Sequence, residues 1–308
     1  MAATESEIDT ALKSNDFRVA KMLVKNISQT SPDYGLKDYY RALIALNEGK
    51  YDKAEDYIEK ALDKKPDAKV YNLAGSVYGV QAREANIFSK LGYAKKSKKN
   101  FLKAYNADPN HKDYIISLLQ FNIQAPSIAG GDSDQIEPLL EQLEKIDIKS
   151  ATQLRLQYIA DEEGEEQALT FINNKVADNP KALYLLYYRA FLYENAKKHE
   201  LAYKDFHQII INQPDDMKSE DFRNWNNSLY RLGRLASIEG KWLQEGQQSF
   251  VTYLQLDHDL SIDSKAWANY RLGLIYQQMN NNVAAKKVFT IAKSMKTDKE
   301  LTKRLKKI

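Results

Sequence analysis

The sequence has no cysteine, which excludes disulfides, thiolate metal sites and cysteine nucleophiles. Histidine is almost as scarce, with only His111, His199, His207 and His258. No two of these stand three or four residues apart, so their spacing excludes a helical pair of metal ligands, and neither a metal nor a cofactor is expected. No apolar run approaches the roughly 20 residues that a membrane span needs. The N-terminal MAATESEIDT lacks the basic-then-apolar profile of a signal peptide, so the chain as given is expected in the cytoplasm. Neither charge sign dominates: 45 basic residues against 42 acidic ones leave +3, and net charge alone selects no class of partner.

Catalytic patterns are missing too. Gly130-Gly131-Asp132 is followed by no GK[ST] and preceded by no strand, so it reads as a structured loop rather than a phosphate cradle. The run Asp161-Glu162-Glu163-Gly164-Glu165-Glu166 lacks the alternating carboxylates of a calcium loop and reads as a solvated turn. No serine stands in a nucleophile-elbow pattern. The chain is therefore read as a non-enzyme.

What the sequence does have is recurrence. Gly35–Ala68 reads as two short amphipathic helices. Leu36, Tyr39, Tyr40, Leu43, Ile44 and Leu46 lie at helical intervals on the first, which runs to Asn47, and Gly49 stops it. The second starts near Asp52, a candidate cap, carries Ala54, Tyr57, Ile58, Ala61 and Leu62 inward, and is ended by Pro66. Ala42 and Ala54 let the two backbones approach closely. Alone, such a hairpin leaves a second apolar face wet, so it must stack on copies of itself. The copies exist: Ala20, Val24, Ile27 and Pro32 precede Ala54, Ile58, Ala61 and Pro66 by 34 residues, and Ala168 and Pro180 recur as Ala202 and Pro214. Five of the seven prolines, Pro32, Pro66, Pro109, Pro180 and Pro214, close a unit.

This unit resembles the tetratricopeptide repeat. The C-terminal copy, Leu272, Gly273, Tyr276, Ala285, Phe289 and Ala292, carries the likeness best. Ala190, Tyr193, Ala202 and Phe206 follow it, as do Gly75, Tyr78, Phe101, Ala104 and Pro109, and more loosely Leu232, Gly233, Gly246 and Phe250. The resemblance implies an all-α, right-handed α-solenoid of about eight stacked units running through residues 1–308. Residues 1–68 would hold two plain repeats, 69–148 two atypical ones and 149–299 four more, with 300–308 as a C-terminal cap. Repeat arrays escape the usual splitting into globular domains, because each unit contacts only its neighbours.

Two units depart from the pattern. The third carries about ten extra residues between Tyr78 and Phe101. Both of its helices are expected to lengthen, with Val80, Ala82, Ala85 and Phe88 inward and Gly92 near the turn. In the fourth, a helix at Tyr114–Ile123 is followed by QAPSIAGGDSD and then by a helix at Gln135–Ile146. Ala125 before Pro126 favours extended backbone, and Asp132 or Asp134 is placed to cap the following helix. Both insertions fall at the within-repeat turn, so they are expected side by side on one edge carrying Gln81, Phe88, Gln124, Pro126, Ile128, Gly130 and Gly131. The extended third hairpin and this APxIxGG loop resemble a group of bacterial tetratricopeptide proteins, many of them exported. That resemblance makes the periplasm the alternative location, should a signal peptide have been removed.

In such repeats the first helices line the concave side. Placing the copies in register puts Tyr39, Tyr184, Tyr187, Phe191, Tyr230, Arg234, Trp267 and Tyr270 there, and aromatic and arginine side chains are the commonest anchors of binding energy. Family members that hold a chaperone's C-terminal carboxylate use a Lys/Asn/Asn/Lys/Arg clamp. The matching positions here hold Glu5, Asp9, Tyr40, Lys69 and Leu73, of which only the lysine fits; Arg231 and Arg271 lie at clamp-like positions without asparagine partners. Lysine patches offer the alternative of nucleic-acid binding through phosphate contacts: Lys95, Lys96, Lys98, Lys99 and Lys103, and the segment 286–308 with nine basic residues against two acidic ones. The favoured expectation is a scaffold that binds a peptide or protein surface through the aromatic groove, the insertion edge, or both.

Overall fold

The structure, a computed structural model, describes residues 4–14, 16–28, 32–256, 262–295 and 297–308. Among these the chain forms seventeen α-helices, a few short 3-10 segments and no strand. In order they are α1 (Glu5–Lys13), α2 (Phe17–Lys25), α3 (Lys37–Asn47), α4 (Tyr51–Lys64), α5 (Ala68–Glu84), α6 (Ile87–Ala107), α7 (Lys112–Gln124) and α8 (Ile136–Ile146). There follow α9 (Ile148–Glu162), α10 (Glu165–Asp178), α11 (Leu183–Asn195), α12 (His199–Ile210), α13 (Glu220–Glu239), α14 (Leu243–Gln255), α15 (Ile262–Gln278), α16 (Asn282–Ser294) and α17 (Lys299–Leu305). Neighbours in sequence pair as hairpins, α3 with α4, α5 with α6, α11 with α12, α13 with α14 and α15 with α16. The architecture is the expected all-α array of helical hairpins. None of the described helices is long and apolar enough to cross a membrane. The chain divides into two compact units at Arg155 and Leu156.

Within each hairpin a small residue on the first helix receives a large one from the second. A Cβ added to Gly75 would stand 2.4 Å from the Phe101 ring, one on Gly233 2.6 Å from Phe250 and one on Gly273 2.3 Å from Phe289. Ala42 with Ile58 and Ala190 with Phe206 are fully buried versions of the same fit. In the first unit the core runs from Ile8 to Tyr78 through Tyr40, Ile58 and Val77. In the second it runs from Leu156 to Ile275 through Phe206, Trp225 and Phe250. At the end of that unit α17 lays Leu301 and Leu305 against Ala266, Tyr270, Phe289 and Ala292.

Helix ends follow local chemistry. Thr4 and Glu7 form a capping box on α1, and Asp67, Asn86, Ser219 and Asp298 cap α5, α6, α13 and α17. Three hairpin turns use the left-handed conformation two residues before the second helix, at Gly49 (φ +70°), Lys197 (φ +57°) and Asn280 (φ +60°). Three expected caps are not used. Helix α4 begins one residue before Asp52, with Lys50 at its N-cap position making no side-chain cap bond. The same holds for Gln135 ahead of α8, because a 3-10 turn over Ser133–Gln135 takes Asp132 and Asp134 out of capping position.

The third hairpin lengthens as expected, but its turn lies at Ala85-Asn86, where Asn86 caps α6. Gly92 is therefore inside α6, with open space around it, and Phe88 points outward rather than inward, 93% exposed. Segment 217–225 is mostly the first turns of α13, started by Ser219. Asn15 in the first turn, and His258, lie outside the described residues.

Candidate functional site

In the second unit the first helices α11, α13 and α15 pack side by side. On this side α11 and α13, with Tyr253 of α14, enclose a cleft of about 490 Å³ bounded by Tyr187, Glu194, Asn227, Tyr230, Arg231 and Arg234. Its centre is a carboxylate. Glu194 is buried, 6% exposed, and both Arg231 and Arg234 donate to it, one to each oxygen. A buried carboxylate without partners would be costly, and the two guanidiniums offset part of that cost while leaving the cleft one positive charge in excess.

Each arginine has further partners. The Arg231 guanidinium lies 4.6 Å from the centre of the Phe191 ring, and Tyr187 lines the cleft with it. Burial works to lower its pKa, and the Tyr187 and Glu194 oxygens outweigh that and raise it. On the next first helix Arg271 is shifted the other way. Burial dominates there and Arg234 adds like-charge repulsion, which together outweigh Tyr230. The Arg271 Nε is buried without a hydrogen-bond partner, and its guanidinium lies 5.1 Å from the Trp267 ring centre.

The tyrosines are held by the hairpin cores. Tyr187 packs edge-on against Phe206 at 6.4 Å, and Tyr230 packs edge-on against Phe250 at 5.7 Å and tilted against Tyr253 at 5.3 Å. Such rings lose little freedom on contact with a ligand, since packing has already fixed them.

Of the eight groove residues read from the sequence, the structure brings Tyr187, Tyr230 and Arg234 together in the cleft, with Phe191 beside it under Arg231. The others are placed elsewhere. Tyr184 is half-buried against Tyr188, 6.0 Å away. Tyr270 is buried beneath α17, and Trp267 donates from its ring nitrogen to Asp298 at 2.7 Å, so both serve the end of the array. Tyr39 lies in the first unit, where its ring meets Tyr40 and the Lys69 ammonium. The sequence reading missed Glu194 and Arg231 as a pair. A glutamate on the inner stripe of a first helix was the available signal.

At the clamp-like positions of the first unit Lys69 is paired with Glu5, and the Tyr40 hydroxyl donates to Asp9 at 2.9 Å. Those charges are satisfied internally. The histidines are dispersed: His199 faces Glu239 at 2.7 Å, His111 stacks on Tyr114 at 4.0 Å, and His207 lies 5.6 Å from Tyr203. Among the described residues no group of three acidic or histidine side chains could hold a metal.

The two insertions of the first unit meet through small residues, Ala82 of α5, Ala94 of α6 and Ala129 of the loop. Gln81 is buried and spends its amide on Asp52 and Glu55, at 3.3 and 2.7 Å. It ties α5 to α4 of the preceding hairpin and is not an open contact. Ala125 is extended, as the following proline requires. Gly131 has no room for a side chain: a Cβ there would stand 1.7 Å from the Ala125 carbonyl oxygen. Gly130 takes a positive φ of +100°. Phe88, Gln124, Pro126 and Ile128 are exposed.

The sequence profile of the tetratricopeptide repeat matches residues 39–67 and 78–111. No curated protein matches the chain. Among solved structures it is similar to a tetratricopeptide repeat protein from Parabacteroides merdae, at 14% identity, with 88% of this chain and 96% of that one covered and a TM-score of 0.46. It is also similar to a monomeric mutant of IFIT1 with Gppp-AAAA, at 17% identity and a TM-score of 0.44, with 93% of this chain covered. A human IFIT1 dimer with PPP-AAAA gives 16% and 0.43, with 92% covered. The chain spans 62% of the length of those IFIT1 chains. Two tetratricopeptide repeats are thus matched, at residues 39–67 and 78–111, and helical hairpins recur along the rest of the described chain.

Proposed function

We propose that the protein is a non-enzymatic interaction scaffold whose second unit binds an extended, acidic peptide segment in the cleft between α11 and α13. Tetratricopeptide repeats in general mediate protein–protein interaction, and the partner and the surface used are the new part of this reading. The single observation that carries it is the Arg231–Glu194–Arg234 triad set between Tyr187 and Tyr230. Two pre-positioned guanidiniums share one carboxylate, and side chains of Arg234 and Arg231 are 38% and 26% exposed. Each guanidinium has more donors than Glu194 can accept, and a planar fork suits a second carboxylate. The fixed tyrosine rings supply apolar contact on either side.

The test is a fluorescence-polarisation screen of a degenerate peptide library, comparing acidic, neutral and basic subsets. Acidic peptides should bind best. Tyr187→Ala/Tyr230→Ala should weaken them by about 30-fold or more, the effect of losing one central anchor of about 2 kcal/mol. Arg234→Gln should remove the preference for acidic over neutral peptides while the fold, followed by circular dichroism, stays intact. Equal binding of all three subsets, or an unchanged affinity in the tyrosine variant, would refute the assignment.

A further inference from the structure

We propose that the outer face of α6, with the Ile128 loop beside it, docks the protein on a membrane surface rich in anionic phospholipid. The face belongs to the first unit, and the proposal does not rest on the cleft of the second.

Helix α6 carries six lysines and no acidic residue. One of them, Lys96, turns back over the Tyr78 and Tyr93 rings, at 4.9 and 5.5 Å. Others share the outer face with apolar side chains. At about 100° per residue, positions 88, 91, 95, 98, 99 and 102 fall within about a third of the helix circumference. Phe88 is 93% exposed and Ile87 78%, while Leu91 and Leu102 are more than a third exposed. Ile128, 73% exposed, stands beside this face, because Gly130 packs against Lys98. Between helix and loop lies a hollow of about 350 Å³ bounded by Lys95, Lys98, Lys99, Lys103, Leu102 and Gly130. Asp132 reaches Lys98 at 3.7 Å, and Lys103 lies over the Tyr71 ring. Neither Lys95 nor Lys99 has a carboxylate within 4.0 Å among the described residues.

Charge and shape together select the occupant. Lysines ringing a hollow fit a phosphate headgroup, and their long stems let the ammonium groups reach the headgroup layer while the stems follow apolar surface. A side chain that is 93% exposed lines no pocket; Phe88 is itself an inserting group, at the tip where α5 turns into α6. A bilayer yields to such a wedge without a complementary cavity, burying apolar side chains about 5–10 Å deep.

The experiment is co-sedimentation with vesicles of phosphatidylcholine alone or mixed with phosphatidylglycerol. Wild type should sediment only with the mixed vesicles, and less as salt rises. Phe88→Ser/Ile128→Ser and Lys95→Glu/Lys99→Glu should each cut partitioning by about tenfold or more, with unchanged circular dichroism. A Phe88→Trp reporter should shift its emission to the blue with mixed vesicles alone. No sedimentation with mixed vesicles, or undiminished binding by the Phe88→Ser/Ile128→Ser variant, would overturn the proposal. So would lysine-dependent binding of poly(U) by a protein that ignores vesicles, which would assign the patch to nucleic acid.

Discussion

Adding one methyl group at Gly75 and one at Gly92 should move stability in opposite directions, although the two substitutions are chemically identical and fall in the same hairpin. A Cβ at Gly75 would meet three atoms of the Phe101 ring at 2.4, 2.5 and 2.8 Å, against an optimum of about 3.5–4.0 Å between carbons. The ring must retreat by about 1 Å, and it is 7% exposed with the Phe121 ring 6.2 Å behind it. Overpacking of this kind costs about 1–3 kcal/mol. Alanine offsets part of that through its helix propensity, about 1 kcal/mol better than glycine. At Gly92, inside α6, a Cβ meets nothing within 4 Å, so the same propensity gain acts alone. Subtracting one variant from the other cancels the propensity and leaves the steric cost, about 1–3 kcal/mol. In a unit of this size that separates the two melting temperatures by about 2–12 °C. The assay is urea and thermal unfolding followed by far-UV circular dichroism, because Trp225, Trp242 and Trp267 all lie in the second unit and their fluorescence would be a poor reporter of the first. Equal shifts of the same sign in both variants would refute the small-residue-to-ring account of the repeat. A Gly75→Ala/Phe101→Leu variant that recovers part of the loss would locate the strain at that ring.

Asp38 gives a pH test. Burial raises its carboxyl pKa, but Lys64 at 2.6 Å and Arg41 at 3.2 Å outweigh burial and hold it below the ordinary aspartate value. A depressed carboxylate stabilises the fold above its unfolded pKa, about 3.9, and loses that contribution as pH falls through the folded value. Urea titrations from neutral pH down to about 3 should therefore show the wild-type advantage over Asp38→Asn shrinking toward the acid end; a constant gap would contradict the pairing. Lys197 sits at φ +57° in an exposed turn, a conformation that costs an L-residue about 1–2 kcal/mol. Lys197→Gly should thus raise the melting temperature of the second unit, and a lowered one would mean that the lysine side chain contributes more than its backbone strain costs.

The hairpins were legible because stacking imposes a strict grammar. A small residue and a large partner recur in the hairpins whose helices approach closely, with a closing proline in five units, and Gly233 with Phe250 obeys that grammar even where the spacing slips. What escaped was set by short-range competition between neighbouring groups. Asn86 out-competes Gly92 for the turn because an asparagine side chain caps two amides of α6, Phe88 and Ser89, whereas Gly92 has no conformational demand to satisfy. A turn near Gly92 goes with Phe88 inward; with the turn six residues upstream, at Ala85-Asn86, Phe88 falls on the outer face. In the cleft, Tyr187, Tyr230 and Arg234 followed from register alone. Trp267 and Tyr270 shared that register, but the last first helix is covered by α17, so equivalent positions met different neighbours.

The same grammar shows which side chains the stacking does not need. Position for position, Glu194 stands four residues beyond the small residue Ala190. The corresponding places hold Leu46, Gly79, Ser237 and Gln277, so hairpin stacking has no need of a carboxylate there. A buried charge that the fold does not require, held by two arginines that the fold does not require either, adds nothing that a leucine would not supply more cheaply. The same holds for Phe88, whose ring buries almost nothing in the folded chain. The two proposals rest on residues of this kind: the acidic-peptide proposal on the Arg231–Glu194–Arg234 triad, and the membrane proposal on Phe88 and the lysines of α6.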